Sequence, residues 1–251
     1  MRTIVLIIAT RIVKGRNMSI KKLITGLTLS LLLSSGMASA ADFNKGLEAA
    51  QSGGFKTALA EWTPLAEQGD SSAQYNVGLM YKNGWGVPEN DKTAVKWYTL
   101  AAEQGNTKAQ YNLGIMYDYG RGVPEHDKTA VKWYTKAAEQ GHAKAQFNLG
   151  FIYDNGEGVP ENDKTAVKWY TLAAEQGHAG GQGNLGIMYF NGEGVLTDNR
   201  RAYMWSSLGS YNGSETAAEN KDKIAKEMTP ADISKAQDMS STCLESSYTD
   251  C

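Results

Sequence analysis

Apolar residues recur at helical spacing along most of the chain. Over residues 107–119, Ala109, Leu113, Gly114 and Tyr117 fall on one side of a helix at about 100° per residue. Over residues 128–140, Ala130, Val131, Trp133, Tyr134, Ala137 and Ala138 make a second helix apolar across a wide arc. Gly120-Arg121-Gly122-Val123-Pro124 joins them, with two glycines free to take positive φ and a proline that blocks helix continuation. Asp127 is expected to cap the second helix and Gly141 to end it in the left-handed conformation. The predicted unit is a hairpin of two helices, A and B.

The same hairpin is written three times, 36 residues apart, at residues 78–105, 114–141 and 150–177, and a worn fourth copy starts at Gly186. Asp91 and Asp163 stand where Asp127 does, and Gly105 and Gly177 where Gly141 does. A period in this range predicts a solenoid, in which each unit buries its apolar face against its neighbours. Small residues let the helices approach, while Trp97, Trp133 and Trp169 are expected to fill the space between layers. The ends are atypical, as caps of a stack should be. Residues 43–52 and 55–67 read as a degenerate first pair, and residues 200–211 as a worn helix B. Residues 214–228 read as a polar helix, and Thr229-Pro230-Ala231-Asp232 opens a last helix that ends near Cys243. The expectation is an all-α fold, an α/α solenoid of about twelve helices in six pairs. Its divisions are 1–40, a leader; 41–69, an N-terminal capping pair; 70–213, four repeats; and 214–251, a C-terminal cap.

The leader is read from Lys21 and Lys22, the apolar run 23–33 and Ala38-Ser39-Ala40, the pattern of an export signal cleaved after Ala40. The apolar run is too short to span a bilayer as an ordinary helix. Residues 1–17 add an apolar patch that such a signal does not need, so Met18 is a candidate start. Residues 1–40 hold six basic and no acidic side chains, so without them the net charge falls from −2 to −8. An acidic surface with scattered lysines disfavours nucleic acid and anionic lipid as partners. The expected location is periplasmic or secreted, with no stable membrane insertion after cleavage. Cys243 and Cys251 are the sole cysteines, and in an oxidising compartment they are expected to pair. A continuous helix would hold them about 12 Å apart, so the chain must leave the helix and fold back.

The second copy carries Ala109, Leu113, Gly114, Tyr117, Gly120, Gly122, Val123, Asp127, Ala130, Trp133, Tyr134, Ala137, Ala138, Glu139, Gln140 and Gly141. This pattern resembles the Sel-one-like repeat (SLR) family, related to tetratricopeptide repeats but with a longer, glycine-rich loop between its helices. The resemblance covers roughly residues 43–228 and departs in the fourth copy, at Gly181 in place of Ala and Ser206 in place of Tyr. It implies a right-handed superhelix that acts as an adaptor for other proteins. Exported bacterial members are associated with envelope functions, signalling and host contact. One cysteine-rich branch is linked to penicillin binding. Its members carry a cysteine pair in each repeat, and the repeats of this chain carry none.

Candidate chemistry is sparse. His142 and His178 occupy the position before helix A held by Asp70 and Asn106, which reads as a cap; His126 lies in the loop before helix B. No cysteine or second histidine stands at ligand spacing from them, so neither a metal nor a cofactor is expected. The paired glycines follow helices, not strands, and lack the Gly-Lys-Ser/Thr ending of a phosphate loop. No nucleophile–base pair is singled out, and the expected protein is not an enzyme. Binding has more to support it. On the face of helix A away from the buried stripe stand Tyr75, Tyr111 and Phe147 at one position. Leu79, Ile115, Phe151 and Ile187 stand at another. Asn76, Asn112, Asn148 and Asn184 run beside them, and Tyr119 is grouped with this set. In tetratricopeptide-like stacks this face lines the concave groove. Carboxamides both donate and accept, which suits the backbone of an extended peptide. The alternative is that the rings pack between helices and the asparagines tie repeats together. Trp85, Arg121, Glu157 and Glu193 share a loop position, so that edge changes sign along the stack. The expected function is a non-enzymatic interaction scaffold for a protein or peptide; the rival is an enzyme or binder of cell-wall or β-lactam chemistry.

Overall fold

The computed structural model describes residues 41–251; the expected leader lies outside them. Among the described residues there are twelve α-helices and no strand. α1 (Phe43–Gln51) and α2 (Phe55–Glu67) form the leading pair. The four repeats follow: α3 (Ser71–Asn83) with α4 (Asp91–Glu103), α5 (Thr107–Asp118) with α6 (Asp127–Glu139), α7 (Ala143–Asn155) with α8 (Asp163–Ala174), and α9 (Ala179–Asn191) with α10 (Asn199–Tyr211). α11 (Glu215–Ala225) and α12 (Pro230–Glu245) close the stack, both packed on α10. From α1 to α11 each helix packs on the next in sequence, which is the α/α solenoid that the period predicts.

Capping differs from expectation by one residue. Asp91, Asp127 and Asp163 are the first residues of their helices, and the caps are Asn90, His126 and Asn162. These three hold extended backbone, and each side chain accepts from the N–H three residues on, at 2.9, 3.1 and 2.9 Å. The aspartates instead place negative charge in the first turn, where the helix dipole favours it. Gly141 ends α6 as expected: at φ +84° it lets the His142 N–H donate back to the Ala137 carbonyl at 3.1 Å.

The layers are set by one contact repeated three times. Tyr98, Tyr134 and Tyr170 on the B helices are fully buried and lie flat on Gly78, Gly114 and Gly150 of the paired A helices. A Cβ on Gly114 would stand 2.6 Å from the Tyr134 ring, so only glycine permits this spacing. In the fourth repeat Ser206 replaces the tyrosine, and Gly186 approaches the α10 backbone itself. The loop glycine Gly122 (φ +72°) seats against the Asp91 backbone of the preceding repeat, where a Cβ would come within 2.5 Å. The long loop therefore joins layers as well as helices.

A second ladder is polar and buried. Gln74, Gln110, Gln146 and Gln182 are at most 3% exposed. Each side-chain amide donates to the carbonyl of Ala66, Ala102, Ala138 or Ala174 on the preceding B helix, at 3.0–3.1 Å. Each carbonyl oxygen accepts from Gln104, Gln140, Gln176 or Asn212 on the following B helix, at 2.6–2.8 Å. One side chain thus ties the last turns of two successive B helices, with donor and acceptor both satisfied. Of the tryptophans expected between layers, Trp133 is buried, whereas Trp97 and Trp169 are half-buried. The ammonium groups of Lys132 and Lys136 both lie over the Trp133 ring, while Trp169 has that of Lys168 alone.

At the C-terminus Cys243 and Cys251 form the expected disulfide, with Cα atoms 4.8 Å apart. The chain folds back through Ser247 (φ +53°) and Tyr248 (φ +67°), both in the left-handed region. Tyr248 then packs on the core and shares hydrogen bonds with Asn212.

Candidate functional site

The twelve groove candidates share one face, and none of them is buried. Tyr119 and Phe151 are 66% and 44% exposed; Tyr75, Asn76, Leu79, Tyr111, Asn112, Ile115, Phe147, Asn148, Asn184 and Ile187 are half-buried. The rings at the Tyr75 position both pack and present a surface. Tyr75, Tyr111 and Phe147 tilt against Tyr98, Tyr134 and Tyr170, with centroids 6.0–6.1 Å apart. Tyr111 also stacks on His142 at 4.5 Å, and Phe147 on His178 at 4.7 Å. Each histidine thus serves as helix cap and as a ring platform between consecutive A helices. Sequence reasoning identified the cap and missed the stack, because the partner lies a whole repeat away.

Three concave pockets run along this face. The first, about 510 Å³, lies between Phe43, Leu47, Tyr75, Asn76 and Lys108. The second, about 420 Å³, lies between Tyr75, Tyr111, Asn112, His142 and Lys144. The third, about 430 Å³, brings together Asp118, Tyr119, Phe147, Asn148, Phe151 and Glu157. Leu79, Ile115, Asn184 and Ile187 line none of the three. Asn112, Asn148 and Asn184 stand beside the hydroxyls of Tyr98, Tyr134 and Tyr170 in the preceding repeat.

The electrostatics divide this face between the two ends of the A helices. Lys108 and Lys144 lie in the first turns of α5 and α7, where the helix dipole is positive. Asp118, Asp154 and Glu157 lie at the other ends of the A helices. Partial burial raises the Asp118 carboxyl above the ordinary range; the Tyr134 hydroxyl, donating at 2.9 Å, opposes this, and Asp127 and Glu125 add to it. Asp154 is raised in the same way, with Tyr170 donating at 3.2 Å. The equivalent residue in the first repeat is Lys82, so the buried Tyr98 hydroxyl has no hydrogen-bond partner. The phenols of Tyr98, Tyr134 and Tyr170 are pushed up, chiefly by burial. Burial also lowers the pKa of His142 and His178, with Lys144 adding to both and Lys108 to the first. No group of three or more metal-ligating side chains converges among the described residues.

Comparison with known proteins matches the same units. The Sel1 repeat model matches residues 71–106, 107–142, 143–178 and 179–214. A Sel1 repeat protein from Oxalobacter formigenes, known from its crystal structure, is 38% identical. The match covers 70% of this chain and 72% of that one, with a TM-score of 0.67. The crystal structure of c5321, a protective antigen present in uropathogenic Escherichia coli strains and displaying an SLR fold, is 29% identical. That match covers 84% of this chain and 56% of that one, with a TM-score of 0.53. No protein of curated function matches. With four consecutive 36-residue units matched by one repeat model, and with those units folded as stacked helical hairpins, the chain belongs to the Sel1 repeat family.

Proposed function

We propose that this protein is an interaction scaffold that holds an extended segment of a partner protein along the A-helix face. The observation that carries the reading is the ladder on that face. Aromatic, aliphatic and carboxamide side chains recur at 36-residue intervals, half-buried rather than sealed in the core. The carboxamides of Asn76, Asn112, Asn148 and Asn184 lie half-buried on that face, those of Asn112, Asn148 and Asn184 beside tyrosine hydroxyls of the preceding repeat, and a carboxamide has both donor and acceptor capacity for a peptide backbone. Repetition makes the binding multivalent within one groove: each added repeat contributes another set of contacts. The partner is a protein or peptide, and export to the periplasm or beyond fits the disulfide. Among the described residues no helix is long and apolar enough to cross a membrane.

The test is capture of a partner from envelope extract followed by titration of groove variants. Asn112→Ala with Asn148→Ala should keep the fold and weaken binding by about 1 kcal/mol per residue, since a hydrogen bond exchanged with water nets little. Removing the exposed ring of Phe151 should cost about 2 kcal/mol of affinity, as interface aromatic anchors do. Unchanged affinity in both would move the docking site off this face. The triple change Tyr75→Ala, Tyr111→Ala, Phe147→Ala should lower stability as well as affinity, because these rings pack on buried tyrosines.

A further inference from the structure

Across residues 78–105, 114–141 and 150–177, three copies of one 28-residue phrase, seven positions differ. Five of the seven are represented in the wall of one pocket, by Asp118, Tyr119, Phe151, Ile152 and Glu157. The scaffold repeats almost unchanged while most of its differences fall on one wall between consecutive repeats, which each layer therefore fills differently. One layer earlier the carboxylate positions are Lys82 and Arg121, and the ring positions are Asn83, Tyr111 and Ile115, so one ring remains and both carboxylates are gone. One layer later the carboxylates persist as Asp154 and Glu193, but the rings are gone, replaced by Asn155, Gly183 and Ile187. Among the three layers, rings and carboxylates meet in this one alone.

Resting on the groove reading, we propose that this pocket, about 430 Å³, receives a basic side chain of the bound segment, with Asp118 and Glu157 facing its charge and Tyr119, Phe147 and Phe151 stacking on it. Neither carboxylate has a salt-bridge partner among the described residues. Asp118 spends one oxygen on the Tyr134 hydroxyl and keeps the other. Desolvation raises Glu157 above its ordinary value, and the nearby Asp118 and Asp127 add to the rise, so an entering cation relieves charge already crowded there. Tyr119 already accepts a guanidinium within the molecule: the Arg121 side chain lies over its ring at 6.0 Å. The occupant is an arginine or lysine side chain projecting from an extended peptide.

The probe is a set of blocked glycine pentapeptides with arginine, lysine, norleucine or glutamate at the centre, titrated into the protein at low ionic strength and followed by NMR. Arginine and lysine peptides should bind at least tenfold more tightly than the norleucine and glutamate peptides. Glu157→Arg should remove that preference. Asp118→Lys with Glu157→Arg installs the charges of the preceding layer and should reverse it. The first repeat already carries Lys82 beside Tyr98, so the scaffold accommodates the change, and Glu157→Arg alters an exposed residue if the double variant folds poorly. Equal affinity for arginine and glutamate peptides overturns the proposal, as does no saturable binding of any. If that equal affinity is still lost in Asn112→Ala with Asn148→Ala, the groove stands and only the pocket's specificity falls. A basic preference that survives those asparagine changes leaves the pocket standing and removes the groove ladder instead.

Discussion

At the residue scale, small substitutions between copies have sharply different consequences because each meets a repeated neighbour. Tyr134 and Tyr98 occupy equivalent buried sites, yet Tyr134 donates to Asp118 whereas the first repeat has Lys82 at that position and the Tyr98 hydroxyl has no partner among the described residues. Tyr134→Phe should cost about 1 kcal/mol, and Tyr98→Phe should be neutral or stabilising by a similar amount, read by urea unfolding. The histidine caps give a pH prediction. The Nδ1 of His142 and His178 accepts the N–H of Ala145 and Gly181 at 3.3 and 3.1 Å, which requires the neutral ring. Burial lowers both pKa values below 6.5, so the fold favours the neutral form. Their contribution is fully present above the unfolded pKa and is lost as pH falls through the folded value, because the unfolded chain then binds more protons. Melting temperature should fall on acidification below about pH 6.5, and His142→Asn with His178→Asn, which imitates Asn106, should flatten that slope. Identical slopes in the two proteins would remove the histidines from the account.

At the element scale, the B helix carries the stability between layers and the A helix carries the presented face. Trp133 sits in the apolar cluster formed by α4 of the preceding layer and α5 of its own, so Trp133→Ala should cost about 3–5 kcal/mol. Trp85 is 40% exposed and stacks on Phe55 at 5.2 Å, so Trp85→Ala should cost far less; equal thermal shifts would contradict that division. The glutamine ladder matters in a different way. Gln146→Leu preserves volume but removes the hydrogen bonds to the Ala138 carbonyl and from the Gln176 amide, which should cost about 1–2 kcal/mol. Loss of cooperativity between the second and third repeats, seen as a broadened unfolding transition, would accompany it.

For the whole molecule, stability is a sum over neighbouring units, so the ends need sealing. The Cys243–Cys251 bridge closes a short loop and pins Tyr248 against α10, so reduction should lower stability by about 2–3 kcal/mol at most. Thermal unfolding with and without reductant measures this, and amide exchange should locate the loss in α12 and the terminal turn. A loss spread evenly over all repeats would mean that the stack unfolds as one unit.

The repeat length, the helical hairpin, the glycine loop and the class of the fold are determined by the sequence alone, because period and local propensity act over a few residues and are written three times. The caps were legible in kind and wrong by one residue at Asp91, Asp127 and Asp163, since Asp favours both the cap and the first turn. The groove candidates were legible as one helix face, because their spacing is a fixed rotation about the helix axis. Their double role was not: whether Tyr111 is core or surface depends on His142 and Tyr134, which sequence order places 31 and 23 residues away. The buried Gln146 reads as an ordinary polar residue until two B helices bring a carbonyl and an amide to its ends. The pocket of Asp118, Phe151 and Glu157 likewise exists only where consecutive layers meet. Tertiary structure decided these points because each depends on distances between repeats, and a repeating sequence sets the layers without saying which of their differences will face one another.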